Sequence, residues 1–211
     1  MEEDRADAGG DSHDRMEDMT RHDPEVLPVG LPAPEDDGAC DHLPGMALPA
    51  IALEATDGED VDLSRPGAGR TVVYAYPRTG RPGVPPPDGW DLIPGARGCT
   101  PQSCAFRDHY RALEAAGLRL FGLSTQEPEY QREMAGRLHL PFAVLSDAEL
   151  RLTRALDLPT FKVDGEVDGA VLIKRLTLVI RDGRVEHVFY PVFPPDAHAE
   201  AVLDWAGRNP L

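Results

Sequence analysis

The sequence predicts an α/β protein with a mixed central sheet and helices on both faces. Two observations carry that prediction. Short apolar runs alternate with amphipathic segments from Leu48 onward, and strand–helix alternation calls for parallel strands joined by helical crossovers. A late pair of apolar runs then flanks Asp182-Gly183, a hairpin signal that adds antiparallel strands.

The elements follow in order. "PAIALEATDGEDVDLS" reads as a hairpin turning at Asp57-Gly58, an extension on the N-terminal side of the sheet. "RTVVYAYP" is rich in β-branched and aromatic residues and ends at Pro77, which suits a buried central strand. A Pro/Gly-dense loop, residues 78–98, follows; loops of that length inside a domain are usually functional. Residues 99–116 read as one helix, because Phe106, Tyr110 and Leu113 fall on one stripe and Gly117 can cap it. "LRLFGLS" is a strand and "EPEYQREMAGRLHL" a helix with Pro128 in its first turn. "PFAVLSD" is a strand and "AELRLTRALDL" a short helix. "LIKRLTLVIRDGRVEHVFYP" is the hairpin, and "PPDAHAEAVLDWAGR" a final helix with Asp196 as its cap. There is no internal repeat.

Charge divides the chain. The formal net charge is −16 over 211 residues, and residues 1–41 carry 14 acidic against 3 basic side chains. This head has few large apolar residues and cannot offset its ordering entropy, so residues 1–41 are expected to form a disordered acidic tail and residues 42–211 the folded domain. Such a charge argues against binding nucleic acid or an anionic membrane surface. No secretory leader pattern and no apolar run of spanning length occur, which predicts a cytoplasmic protein.

The chemistry concentrates in "GARGCTPQSCAFRDHY". Cys99 follows Gly98 at a helix start, where free N–H groups and the helix dipole stabilise a thiolate. Arg97 stands beside it to add positive charge. Cys104 lies five residues on, a rise of about 7.5 Å along a helix. A disulfide allows about 6.8 Å between Cα atoms, so the two thiols cannot join while the first turn is intact. In a reducing compartment a close cysteine pair is more often catalytic or metal-binding than structural. Cys40 and His42 could complete a mixed zinc set with this pair, although the Cys-x-His spacing is unusual for zinc.

"GCTPQSCAFRD" closely resembles the active-site segment of peroxiredoxins of the bacterioferritin-comigratory or Q type, within the AhpC/TSA family. The likeness extends over roughly residues 45–205, including the Val-Val-Tyr-x-Tyr-Pro strand and "LPFAVLSD". The resemblance implies a thioredoxin-like fold. It implies Cys99 as peroxidatic cysteine, Cys104 as resolving cysteine and, from "RLTLVI", Arg175 as the residue that steers peroxide and thiolate. The activity implied is an atypical 2-Cys peroxidase, acting on hydrogen peroxide or organic hydroperoxides through an intramolecular disulfide. Its electrons come from a thioredoxin- or glutaredoxin-like dithiol, and no bound cofactor or metal is needed. A thiol–disulfide oxidoreductase or a redox sensor is the alternative.

One departure stands out. The family's Pro-x-x-x-Thr-x-x-Cys has a threonine hydroxyl three residues before the cysteine; here Ala96 stands there, and Pro77 is displaced by the long loop. Either Thr79, Thr100 or another donor folds back to replace the lost group, or the site is weaker or turns over something other than hydrogen peroxide.

Overall fold

A computed structural model describes residues 23–65, 67–163 and 170–211. Its centre is strand β3, Arg70–Ala75, which follows the small hairpin of β1, Ala52–Glu54, and β2, Asp60–Asp62. Strand β4, Leu118–Ser124, pairs parallel to β3, and β5, Val144–Ser146, pairs parallel to β4. On the other flank β8, Leu176–Arg181, runs antiparallel to β3 and forms a hairpin with β9, Arg184–Phe189. The sheet order is therefore β5-β4-β3-β8-β9, a mixed sheet as the alternation pattern requires. Asp182 and Gly183 both take positive φ in the turn between β8 and β9, the conformation a two-residue hairpin needs.

Burial on both faces explains why β3 reads as an almost unbroken apolar run. Val73 and Ala75 face one core, with Leu123, Leu145, Leu178 and Ile180. Val72, Tyr74 and Tyr76 face the other. Among the described residues five α-helices flank the sheet: α1, Cys99–Asp108; α2, Tyr110–Ala115; α3, Pro128–Arg137; α4, Arg151–Ala155; and α5, His198–Arg208. Phe106, Leu113, Met134 and Val202 bring α1, α2, α3 and α5 onto the Tyr74 face. Leu152 brings α4 to the Val73 face, beside Leu53 and Val61 of the hairpin.

Tyr74 fixes the position of α1. Its ring stacks on Phe106 at 4.4 Å between centroids and meets Phe142 edge-on at 5.9 Å. Gly122 leaves the room for that ring: a Cβ there would stand 3.0 Å from Tyr74 Cζ and 3.2 Å from Val144. Aromatic contacts of this kind add about 0.5–1.5 kcal/mol beyond the area they bury.

The structure differs from the sequence reading in four places. The expected helix 99–116 breaks at His109, whose N–H and ring Nδ1 both address the Ala105 carbonyl, and restarts at Tyr110. Asp196 does not cap α5; it lies in a 3-10 turn, Pro195–Ala197, that precedes the helix. Thr160–Lys162 (β6) and Val171–Ile173 (β7) form a second small antiparallel sheet that no turn signal announced. The boundary expected at residue 41 is crossed by packing. Cys40 is 5 % exposed within the core, Lys174 Nζ donates to Asp37 at 2.6 Å, and the Tyr190 hydroxyl donates to the same carboxylate at 2.7 Å. Those two donors hold the Asp37 carboxyl down to about 2. Among the expected tail residues, 1–22 lie outside the described residues.

Candidate functional site

Helix α1 begins at Cys99, with Gly98 before it at φ 98°. Only glycine fits there. A Cβ would stand 2.4 Å from Pro195 Cγ and 2.8 Å from Leu27 Cδ1, on top of the unfavourable φ. Gln102 N–H donates to the Gly98 carbonyl at 3.0 Å and closes the first turn. Cys99 is 3 % exposed, so its sulfur sits at the dipole's positive end and is screened from bulk water.

Arg175, immediately before β8, reaches this helix start. It is buried, and its fork is almost fully used. Nη2 donates to Cys99 Sγ at 3.2 Å, to Arg97 O at 3.0 Å and to Ala96 O at 3.2 Å. Nε donates to Gly95 O at 3.3 Å, and Nη1 donates to Gln102 Oε1. One guanidinium thus ties three successive carbonyls before the helix to the cysteine sulfur. Five donors in a rigid plane can do this; an ammonium cannot.

Gln102 is a participant that the sequence reading passed over. Since guanidinium offers only donors, its amide must present oxygen to Arg175. Nε2 is then left buried with no partner among the described residues. Its spacing from Cys99, one helical turn, was the available signal.

The first turn of α1 is held by a second chain of bonds. The Tyr74 hydroxyl donates to Ser103 Oγ at 3.1 Å, and Ser103 Oγ donates to the Cys99 carbonyl at 3.1 Å. The Cys99 thiol itself points to the Ala96 carbonyl, 3.4 Å away. Cys104, half-buried on the same helix, is a free thiol like Cys99. Burial pushes its pKa up, against the nearby Arg107 charge.

A cavity of about 60 Å³ opens in front of Cys99. Thr100 and Arg97 line it, as do Arg78, Arg81, Pro86 and Trp90 of the long loop; no carboxylate among the described residues does. Arg97 is a wall residue whose guanidinium reaches Asp91 at 3.4 Å and the Asp23 carbonyl at 3.3 Å. Of the two threonines offered as replacements for the missing hydroxyl, Thr100 borders the cavity. Thr79 gives its N–H and hydroxyl to Gln126 Oε1.

Behind Arg175 lies His198, whose Nε2 is 2.9 Å from Thr177 Oγ1. Phe106 and Phe189 close on its ring edge-on at 5.7 and 5.1 Å. Burial, helped by the Arg175 charge, brings its pKa down to about 3, so it is neutral at working pH. Cys40 belongs to the opposite core from Cys99, and His42 Nε2 lies 2.9 Å from the Leu156 carbonyl. The zinc set weighed from sequence is therefore not brought together. Burial and the neighbouring acids push the Cys40 thiol up to about 12. Among the described residues no helix is long and apolar enough to cross a membrane.

Residues 43–203 match the Redoxin family. The chain is 32 % identical over 169 residues to peroxiredoxin Bcp of Escherichia coli K12, covering 76 % of this chain and 93 % of that protein. It is 28 % identical over 159 residues to the chloroplastic peroxiredoxin Q of Populus jackii; the match takes in 75 % of this chain but only 65 % of that relative, just under two thirds of its length. The crystal structure of peroxidoxin BcpB from Mycobacterium tuberculosis superposes with a TM-score of 0.64 at 24 % identity, over 81 % of this chain and all of that one, a likeness of fold.

Proposed function

The chain belongs to the Redoxin family, with the Bcp and Q peroxiredoxins, and from that premise we propose that it is a thiol-dependent peroxidase. The observation that carries the reading is the Arg175 guanidinium, 3.2 Å from the sulfur of a cysteine that opens a helix and faces a small cavity.

The Cys99 thiolate attacks the nearer oxygen of a hydroperoxide. The O–O bond breaks, sulfur is oxidised to sulfenic acid, and the alkoxide or hydroxide leaves with the proton the thiol gave up. Arg175 stabilises the negative charge at both ends of that displacement. Condensation of the sulfenic acid with the Cys104 thiol then forms a disulfide and releases water. Because helix α1 holds both cysteines, its first turn must open for that bond to form. A dithiol of the thioredoxin or glutaredoxin class returns the disulfide to two thiols by exchange, which suits a cytoplasmic enzyme.

Three variants test the assignment. Cys99→Ser should abolish peroxide consumption. Cys104→Ser should complete one turnover and stop as sulfenic or sulfinic acid, while Cys40→Ser should cycle normally. Mass spectrometry after one equivalent of peroxide should find an intramolecular Cys99–Cys104 bond. Peroxidase activity retained in Cys99→Ser would overturn the reading.

A further inference from the structure

The loop between Pro77 and Gly98, which displaces the proline from its cysteine, folds back over the thiol and supplies much of the cavity wall: Arg78, Arg81, Val84, Pro86 and Trp90 all border it. This wall is stiff. Three consecutive prolines, Pro85 to Pro87, have their φ angles fixed by their rings. Trp90, 4 % exposed, is backed by the apolar cluster of Ala96, Val163 and Leu172, and its ring lies 6.2 Å from Phe161. Beyond the cavity lies a hollow of about 580 Å³ that shares Arg78, Arg81 and Tyr130 with it, so these three side chains form the partition. The Arg81 guanidinium sits 4.6 Å above the Tyr130 ring and pairs with Glu133 at 3.6 Å, which fixes its place between the two cavities.

The thiol therefore faces a chamber of about 60 Å³. A cavity of about 150 Å³ is what holds one benzene ring, and a single water needs about 10–15 Å³. The chamber is open on one side: hydrogen peroxide fits within it, whereas a tert-butyl or cumyl group exceeds it and has to project through the mouth, past Trp90 and Arg81. We propose that the 78–98 loop makes the Cys99 chamber a size filter, which admits hydrogen peroxide and excludes branched and aromatic alkyl hydroperoxides. This rests on the peroxidase reading above, and it names that enzyme's substrate class and the residues that set it: Trp90 as backing wall, Arg81 and Tyr130 as partition.

The test is the second-order rate of Cys99 oxidation on the full chain, followed by rapid acid quench and mass spectrometry of the Cys99 thiol. The probes are hydrogen peroxide, ethyl hydroperoxide, tert-butyl hydroperoxide and cumene hydroperoxide. Rates should fall along that series, with cumene hydroperoxide about a hundredfold or more slower than hydrogen peroxide, the discrimination a tight pocket gives against a few extra carbons. In Trp90→Ala, and independently in Arg81→Ala, where the residue is half-exposed and the fold is not at risk, the ratio of the two rates should shrink by about tenfold. Equal rates for all four peroxides in the parent protein would overturn the filter and leave the peroxidase reading standing. A ratio unchanged in both variants would likewise overturn the assignment of the filter to this loop. No oxidation by any of the four would overturn the peroxidase reading itself.

Discussion

Substituting Tyr74 by phenylalanine should accelerate disulfide formation without touching either thiol. The phenol is the donor to Ser103 Oγ, and Ser103 in turn holds the Cys99 carbonyl. Tyr74→Phe removes one buried hydrogen bond and keeps the ring that stacks on Phe106. A neutral intramolecular bond contributes about 1 kcal/mol net. Ser103 keeps its own donation to the carbonyl, so no buried donor is stranded. The lost bond exists only while the first turn of α1 is closed. Its removal therefore raises the open population, and with it the rate of the Cys99–Cys104 condensation, by about fivefold for each kcal/mol. Rapid acid quench at increasing times after one equivalent of peroxide, with mass spectrometry of the thiol, sulfenic and disulfide forms, measures that rate separately from peroxide attack. Amide exchange from Thr100 to about Arg107 should quicken in the reduced variant, while β3 stays protected. Resistance to over-oxidation should rise in parallel, because faster condensation competes with a second peroxide. If the condensation rate is unchanged although exchange in the first turn quickens, opening of that turn does not limit the bond, and the reasoning fails.

Other perturbations bear on the surrounding network. Arg175→Ala should slow peroxide attack by about 10²–10³-fold, as loss of a preorganised charge donor does. Arg175→Lys should recover part of that rate but not the hold on the Gly95, Ala96 and Arg97 carbonyls, and equal losses in both variants, read by stopped flow, would make Arg175 structural. His198 is held neutral in the fold but protonates near its ordinary pH of about 6.5 when unfolded, so the unfolded state binds the extra proton and stability falls as pH drops from about 6.5 toward 3. Denaturant titrations at pH 7 and pH 5 should show a loss of about 2 kcal/mol attributable to this group, absent in His198→Gln; an identical pH slope in the variant would refute it. Buried Cys40, its pKa pushed up to about 12, should resist iodoacetamide in the native protein and be labelled after half-buried Cys104, and peptide mapping of the labelled protein distinguishes the order of these two.

The sequence by itself determined the elements whose signals are local. The β-branched run of β3, the positive-φ turn at Asp182-Gly183, Gly117 after α2 and Pro128 in the first turn of α3 each encode a backbone preference within a few residues. Cys99 at a helix start behind Gly98 was legible for the same reason, since Gly98 alone tolerates that φ. The pairing of Cys99 with Arg175 spans 76 positions, and only the family likeness of "RLTLVI" suggested it; the sheet register that brings β8 against β3 decides it. Tertiary structure alone decided the rest. Composition called residues 23–41 a solvated tail, because an average over charges cannot register one buried Cys40 or the Asp37–Lys174–Tyr190 clip. Gln102 acquires a role only once Arg175 stands beside it as a pure donor. The length of the 78–98 loop marked it as functional, but not where it goes, since proline and glycine fix turns and not destinations. Its course over Cys99 follows from the burial of Trp90 against Phe161, Val163 and Leu172, contacts 70 and more positions away that no local pattern contains.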